Sequence, residues 1–332
     1  MTAHSLRPRR LILSLFAAGL LPLALAACAD SLPVAPALDT PIHGPQASLV
    51  PEDWNPAAPL GDGEVRIGRN GYVEIRAGTM PLIITAPHGG SLTPAEIPNR
   101  TWGTTAQDFR TKELALDIAD AVEARMGVRP YVVFTQLHRS KLDANRDIVE
   151  GAQGSEAAEI AWQEFHGFVD AASADIEGKY GRGLLLDIHG HSHAIQRIEL
   201  GYNVSASKLG WTDAALDSAN WETKSTIREI AEWHGDAFSE VLRGVNSFGG
   251  LLQAAGYAAT PSPAVPGPGA DPYFVGGYIV DRHGSQMGGA ISAIQLEHQK
   301  PGIRDTQANR QAYAAALSEV VEAYMARYYP QS

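Results

Sequence analysis

The chain of 332 residues has a single cysteine, Cys28, and is short of basic residues. One cysteine cannot form a disulfide within the chain, which excludes a fold stabilised by a disulfide framework. Lysine and arginine together number 26 against 37 aspartates and glutamates, for a net charge of -11. Such an acidic surface argues against nucleic acid as a partner and against electrostatic attraction to anionic lipid headgroups. Beyond residue 27 we find no apolar run long enough to span a bilayer, and we find no internal repeat.

The N-terminal segment has the order of an export signal, because three arginines before residue 11 precede an apolar run from Leu11 to Ala26. The run ends in Leu25-Ala26-Ala27-Cys28, which resembles the lipobox of bacterial lipoproteins, where the signal is cleaved before the cysteine and the thiol is acylated. We therefore predict a lipoprotein signal over residues 1–27, lipidation of Cys28, and export to the periplasmic or extracellular face of the bacterial envelope. Membrane attachment would rest on the lipid alone. An ordinary secretory signal is the alternative.

The remaining sequence divides into a linker and one domain. Residues 28–61 are rich in Pro, Ala, Ser and Asp without apolar periodicity, which is typical of a flexible linker that follows the lipidated cysteine. Residues 62–332 are enough for a single α/β domain with a sizeable core. Short apolar runs alternate with helical spacing along this part. The pattern predicts a three-layer α/β/α fold with a central, mostly parallel or mixed sheet.

The predicted elements begin with a hairpin around Asn70-Gly71, a favoured two-residue turn. Continuous apolar runs predict buried strands at 81–86, 131–137, 183–188 and 290–296, and helical spacing predicts helices from Thr111 to Gly127 and at 156–176, 227–241 and 307–327. A Pro- and Gly-rich stretch from Ala259 to Asp271 reads as a loop, either a lid over a site or a plain surface excursion.

Polar clusters follow each of the four predicted strands. They are Pro87-His88-Gly89-Gly90, His138 to Arg146, Asp187 to His193, and Glu297-His298-Gln299. In open sheets, ligands bind just beyond the carboxyl ends of parallel strands, so these clusters would meet at one edge. We expect His191 and His193 to be exposed, with substrate contact as the alternative.

Two histidines in these clusters suit a catalytic zinc site, which typically has three protein ligands and one position open to water. His88 and His189 each follow an apolar strand, and Asp187 can accept the second N–H of the His189 imidazole. For the third ligand we prefer Asp108, which lies just before a predicted helix, over Glu96 and Glu113. The prediction is one Zn²⁺ per chain.

Six motifs in order resemble the N-formylglutamate amidohydrolase family, whose members are similar to zinc carboxypeptidases in fold and site. They are Pro87-His88-Gly89-Gly90, Asp108 to Leu114, Leu142-Asp143-Ala144-Asn145-Arg146, Asp187-Ile188-His189, Gly276-Gly277-Tyr278 and Gln295-Leu296-Glu297. The resemblance implies a zinc-exopeptidase-like fold, with His88, Asp108 and His189 as zinc ligands. The chain departs from the family at Gly89, where a serine is common, and in its histidine-rich run after His189.

The resemblance also implies roles for residues outside the metal ligands. Glu297 would be the general base, and Asn145 and Arg146 would hold a substrate carboxylate. The alternative for Arg146 is a structural ion pair with Asp143 or Asp147. Independently of the resemblance, we predict that Arg139 or Arg282 stabilises the oxyanion and that Tyr278 and Arg282 contact substrate. The function implied is hydrolysis of an amide next to a carboxylate, in an N-formylglutamate-like N-acyl amino acid or small peptide. A peptidase for small or γ-glutamyl peptides, a metal-binding lipoprotein without turnover, and a metal-free binding module are the alternatives.

Overall fold

The structure is a computed structural model that describes residues 55–330. The predicted signal, Cys28 and most of the predicted linker therefore lie outside the described residues. Residues 55–60 pack against the domain, because Leu60 is buried and the Arg66 guanidinium donates to the carbonyl oxygens of Pro56, Ala58 and Pro59. Among the described residues, no helix has both the length and the apolar character needed to cross a membrane.

Eight strands form one mixed sheet in the order β1-β2-β4-β3-β5-β8-β6-β7. They are β1 Val65–Ile67, β2 Val73–Arg76, β3 Leu82–Ala86, β4 Tyr131–Thr135, β5 Gly183–Gly190, β6 Ile198–Gly201, β7 Ala259–Thr260 and β8 Ile291–His298. The four central strands β4, β3, β5 and β8 are parallel, whereas β1, β2 and β6 join their neighbours toward the centre in antiparallel pairs. The three-layer α/β fold with a mixed sheet is thus confirmed.

The described residues also form helices on both faces of the sheet. They are α1 Thr111–Met126, α2 Ile148–Ala152, α3 Glu156–Tyr180, α4 Ala206–Leu209, α5 Asp213–Ser218, α6 Arg228–His234, α7 Phe238–Arg243, α8 Phe248–Ala254, α9 Tyr278–His283 and α10 Gln307–Tyr328. The helix predicted over 227–241 is wrong as a single element. It breaks at Gly235, whose positive φ of 80° ends α6 before α7 begins.

Two apolar cores cover the two faces of the sheet, because side chains alternate between faces along each strand. Leu184, Leu186 and Ile188 of β5 pack in the core shared with α1 and α10, while Leu185 packs in the core shared with α3. The pattern on the α3 face changes toward the carboxyl end of β5, where Asp187 and His189 take the next positions on that face. The same face therefore starts as core and ends as a polar surface.

Candidate metal centre

Three buried side chains converge at the carboxyl edge of the sheet. His88 follows β3 by two residues, His189 is the seventh residue of β5, and Asp108 lies three residues before α1. The glycines after His88 allow the chain to turn closely, since a side chain at Gly89 would collide with the backbone of Lys112. The structure thus brings together the three residues for which the sequence predicted a metal-ligand role.

Both imidazoles direct Nδ1 at one carboxylate oxygen. Nδ1 of His88 is 3.3 Å and Nδ1 of His189 is 3.2 Å from Oδ2 of Asp108. The two rings meet edge to face, with centroids 4.8 Å apart and planes at 72°. The backbone N–H of Gly190 also donates to Oδ2 of Asp108, over 3.2 Å, which fixes the carboxylate against β5.

The opposite ring nitrogens face two further carboxylates. Nε2 of His88 is 2.6 Å from Oδ1 of Asp143, and Nε2 of His189 is 2.7 Å from Oδ2 of Asp187. Thr85 in turn donates to Oδ1 of Asp187 over 2.7 Å. A neutral imidazole has one N–H, so it cannot donate to two carboxylates at once. A neutral ring that donates Nε2–H here keeps a lone pair on Nδ1, which is the form that binds a metal ion.

The spacing of these atoms fits a tetrahedral ion. Zinc bonds of about 2.0–2.1 Å place neighbouring tetrahedral ligands about 3.3 Å apart. The Nδ1-to-Oδ2 distances of 3.3 and 3.2 Å in the His88, Asp108 and His189 cluster match that spacing. Two imidazole nitrogens and one carboxylate also form a common ligand set of catalytic zinc sites, with one position left for water. The residues present therefore fit a single bound cation.

Charge within the cluster is strongly perturbed. Burial acts against the charged form of Asp108, but the adjacent His88 and His189 outweigh it and hold the pKa of Asp108 well below its usual range. Burial likewise favours neutral His189, yet the Asp187 and Asp108 carboxylates hold the pKa of His189 well above its ordinary value. In the metal-free protein His189 is therefore protonated near neutral pH, and a cation would have to displace that proton.

Glu297 lies beside His189 on the neighbouring strand β8, as its Cα partner in the parallel pair. The side chain is buried, and Nε2 of Gln295 donates to its Oε1 over 3.0 Å. Burial, with help from the Asp108 and Glu199 carboxylates, raises the pKa of Glu297 to about 8 in spite of His189. A carboxyl group with a pKa near neutrality suits the exchange of protons with water and substrate.

Arg139 and Asp143 support the cluster from the loop after β4. Arg139 donates to Oδ2 of Asp143 over 2.9 Å and to Oδ1 of Asp108 over 3.3 Å. Burial opposes the charged form of Asp143, but His88 and Arg139 outweigh it and lower the pKa of Asp143 far below its usual value. The sequence analysis assigned no role at the site to Asp143, although it stands in the motif at 142–146 that follows a buried strand.

Asn145 and Arg146, the predicted substrate-binding pair, differ in their surroundings. Asn145 is buried, with Nδ2 3.3 Å from Nε2 of His189 and Oδ1 accepting the backbone N–H of Ile279 over 2.8 Å. The Arg146 side chain is 37% exposed and donates to Glu150 over 3.2 Å. Arg146 thus forms a structural ion pair, but with Glu150 and not with Asp143 or Asp147, the partners predicted in that alternative.

Tyr278 and Arg282, predicted to contact substrate, belong to α9 and face α3. The Tyr278 ring is 5.9 Å from that of Trp162 and 5.5 Å from that of His166. The Arg282 guanidinium lies 5.4 Å from the Trp162 ring and 3.7 Å from Asp170. Neither residue lines the cavity that opens on Asp108.

The two alternative third ligands lie outside the cluster. Glu96 is exposed and accepts a hydrogen bond from the Tyr72 hydroxyl. Glu113 is half-buried in the first turn of α1, where an acidic side chain favours the helix dipole. Asp108 is therefore the acid that the structure places with His88 and His189.

A cavity of about 570 Å³ opens on the cluster. Its wall includes Asp108, Arg139, His191, His193, Phe109, Phe274, Lys300 and Arg304. The expectation that His191 is exposed is wrong, because its ring is buried and donates to the Arg197 carbonyl oxygen. A larger depression of about 700 Å³ beside α4 and α7 contains the Arg243–Asp213 ion pair and none of the metal-ligating clusters of the described residues.

Comparison with known proteins finds no matching family model and no matching curated protein. Solved structures do match. An N-formylglutamate amidohydrolase from Ralstonia eutropha is 11% identical, with a TM-score of 0.46 over 76% of this chain and 97% of that one. A gene product of Agrobacterium tumefaciens is 12% identical, with a TM-score of 0.46 over 77% and 94%. A metallo-carboxypeptidase from Burkholderia cenocepacia is 10% identical, with a TM-score of 0.33 over 81% and 67%.

Similarities at this level carry no functional conclusion, and membership of the N-formylglutamate amidohydrolase family stays a prediction. What the described residues define is an α/β protein with a buried His-Asp-His cluster at the carboxyl edge of a mixed sheet. Four carboxylates surround the two histidines. Asp143 and Asp187 orient the imidazoles, Asp108 faces their Nδ1 atoms, and Glu297 lies beside His189.

Proposed function

We propose that this chain is a zinc-dependent amidohydrolase that cleaves an amide bond next to a carboxylate, as in an N-formylglutamate-like N-acyl amino acid or a small peptide. The observation that carries the proposal is the convergence of two Nδ1 atoms on Asp108 Oδ2 at tetrahedral spacing, with both Nε2 atoms held by carboxylates. These three side chains would hold a zinc ion and leave its fourth position to water, as catalytic zinc requires.

The chain's own groups have distinct roles in the proposed reaction. A bound divalent cation would supply a water of lowered pKa and polarise the amide carbonyl. Glu297 is placed to take a proton from water, because it is adjacent to His189 and its pKa of about 8 allows it to accept and release protons near neutrality. Arg139 lines the cavity beside Asp108, where its charge favours a developing oxyanion.

The charge of the cavity wall supports an anionic substrate. Arg139, Lys300 and Arg304 line it, against Asp108 as the acid. The whole chain has a net charge of -11, so a basic cavity is a local departure from its surface. Such a cavity raises the local concentration of carboxylates by electrostatic attraction. Small acidic N-acyl amino acids or peptides fit this chemistry, and the polyanion nucleic acid remains disfavoured by the overall charge.

Export and lipidation complete the proposal. The sequence 1–28 has the charge, apolar run and cysteine of a lipoprotein signal, and the enzyme would act at the cell envelope. In a bacterial host, Cys28→Ser should move the protein from the membrane fraction to the soluble fraction and abolish incorporation of labelled palmitate. A wild-type protein that takes up no label would contradict lipidation.

One experiment tests the metal and the turnover together. Purified wild type should contain about one zinc per chain, and His88→Ala, Asp108→Ala and His189→Ala should lose it, whereas Glu96→Ala should keep it. Glu297→Gln should retain zinc but lose hydrolysis of a panel of N-acyl amino acids and short peptides by about 10²–10⁴-fold. Hydrolysis that survives Glu297→Gln would overturn the mechanism. Stoichiometric metal with no hydrolysis by wild type would support a binding protein instead.

A further inference from the structure

Beside the candidate metal centre, a second group of titratable side chains is formed by His191, His193 and Glu199, and its two histidines line the same cavity. Nδ1 of His193 is 2.8 Å from Oε1 of Glu199, a side chain that is 1% exposed. The other oxygen of Glu199 accepts the backbone N–H of Phe274 over 2.9 Å. The carboxylate is therefore anchored at both oxygens, and it fixes one face of the His193 imidazole.

His193 is further held by stacking. Its ring lies parallel to that of Phe274, with centroids 4.8 Å apart and planes at 7°. Because Nδ1 donates to Glu199, the remaining polar atom is Nε2, and no other described residue forms a hydrogen bond with it. The side chain is 21% exposed and lines the cavity shared with Asp108. Nε2 is thus the atom that His193 can offer to a substrate.

A second metal ion explains this geometry less well. Tetrahedral zinc ligands lie about 3.3 Å apart, whereas the His193 and Glu199 atoms are at the shorter distance of a charge-assisted hydrogen bond. Both nitrogens of His191 are also engaged, Nε2 by the Arg197 carbonyl oxygen over 2.8 Å and Nδ1 by the backbone N–H of His193 over 3.1 Å. The group is arranged as a hydrogen-bonded network rather than as three free ligands.

We propose that His193 is a second catalytic residue, the general acid that protonates the leaving amine through Nε2, with Glu199 as its positioning residue. The inference rests on the proposed amide hydrolysis. A histidine whose Nδ1–H is held by a buried carboxylate has a fixed tautomer and ring orientation, the arrangement used for proton transfer in hydrolases. Glu199 is the Cα partner of Glu297 in the β6–β8 pair. The proposed base and the carboxylate that positions the proposed acid therefore lie on neighbouring strands.

The proton balance is complete without a further reactant. Water adds to the amide carbon while Glu297 takes its proton. The C–N bond then breaks, its electron pair stays on nitrogen, and that nitrogen takes the proton from Nε2 of His193. The acid product ionises and Glu297 gives up its proton, which releases two protons. One of them protonates neutral His193 again, and the other converts the free amine to its ammonium ion. One amide and one water thus give a carboxylate and an ammonium ion. The charged or titratable groups near His193 are Glu199 and His191, with Asp108, Arg139, Lys300 and Arg304 on the same cavity wall.

The leaving group provides the test. A general acid matters when the leaving group is a basic amine and matters little for a p-nitrophenolate, which departs unprotonated. In zinc-loaded enzyme, His193→Gln should lower kcat/KM for the N-acyl bond of an N-acyl amino acid by about 10²–10⁴-fold, with the p-nitrophenyl ester of the same acyl group nearly unchanged. Zinc content and melting temperature should equal those of wild type. His234→Gln is the control, since His234 also pairs with a carboxylate, Asp236, but lies outside the cavity.

Two further measurements separate catalysis from structure. Glu199→Gln keeps an acceptor for His193 but removes the charge, so the alkaline limb of the kcat profile for amides should move to lower pH. In the wild-type protein, addition of the amine product should shift the Nε2 resonance of His193 in a histidine-selective ¹⁵N spectrum. This measurement does not depend on turnover.

Equal losses for amide and ester, or an unmoved alkaline limb, would overturn the assignment. So would a second zinc equivalent that His193→Gln removes. Different results would refute the proposed function itself. They are a wild-type protein that cleaves no amide, or a Glu297→Gln variant that remains active.

Discussion

His189 and Glu297 occupy the same level of two neighbouring parallel strands, as Cα partners in β5 and β8. Side chains at paired positions of adjacent strands lie on the same face of the sheet. The next strand, β6, continues the row with Glu199, which is the Cα partner of Glu297. A candidate metal ligand, a candidate base and the carboxylate that holds His193 therefore form one line across the sheet, where the strand frame fixes their spacing.

The carboxylates behind the imidazoles should control metal affinity. Asp143→Asn and Asp187→Asn each weaken the acceptor for an Nε2–H, so the facing imidazole loses orientation and basicity. We expect zinc affinity to fall by about 10–100-fold in each variant, as measured by competition with a chromophoric chelator. Asp120→Asn, on the exposed side of α1, is the control and should bind zinc as wild type does. Unchanged affinity in both site variants would mean that these carboxylates do not support a metal.

Metal binding should release protons and should strengthen as pH rises. In the metal-free protein, Asp187 and Asp108 hold the pKa of His189 well above its ordinary value, although burial opposes the charge. A cation must displace that proton, so the apparent association constant should rise by about tenfold per pH unit for each proton released. Calorimetry in buffers of different ionisation enthalpy counts the protons. Asp187→Asn should flatten the pH dependence, and a wild-type affinity independent of pH between 6 and 8 would contradict the prediction.

His298 should contribute to acid unfolding. Its ring is buried between the His189 carbonyl oxygen and the Tyr313 hydroxyl, each 2.9 Å away, and burial lowers the pKa of His298 to about 3. The unfolded chain binds a proton near pH 6.5 while the folded chain does not, so stability that is complete above pH 6.5 is lost as pH falls toward 3. The slope approaches about 1.4 kcal/mol per pH unit.

Urea unfolding of metal-free protein at several pH values between 7 and 4 checks this contribution. His298→Gln should be less stable than wild type at pH 7, because a packed and hydrogen-bonded ring is lost, and its stability should fall less steeply with acid. His234→Gln, at a half-buried position of α6, is the control for the substitution itself. Parallel curves for wild type and His298→Gln would show that His298 does not take up a proton on unfolding.

Gly89 should tolerate no side chain. A Cβ there would lie 2.2 Å from the backbone nitrogen of Lys112, at the start of α1. Gly89→Ala should cost about 1–3 kcal/mol and weaken zinc binding, because α1 and the adjoining Asp108 must move. Gly178→Ala, an exposed position of α3 with open space around it, should leave stability equal or slightly higher. Thermal unfolding compares the two, and equal melting temperatures would contradict the prediction.

The sequence predicted the central strands and long helices because each is indicated by the residue pattern within its own segment. Apolar runs located β3, β4, β5 and β8, and Asn70-Gly71 located the first hairpin. It did not predict β6, since Ile198–Gly201 has only four residues and forms its antiparallel pair with β8, far along the chain. It also joined α6 and α7, because the apolar spacing runs through Gly235, where only the backbone conformation shows the break.

By itself the sequence determined where polar residues interrupt buried strands, and so which side chains could meet at one edge of the sheet. Whether a segment forms a buried strand is indicated by its own residue types and by the period at which apolar residues recur. Only the tertiary structure decided the partners: Asp108 rather than Glu96 beside the histidines, Asp143 behind His88, and Glu199 beside His193. These contacts join residues on different strands and loops, and their distances depend on strand order and register, which no local pattern encodes.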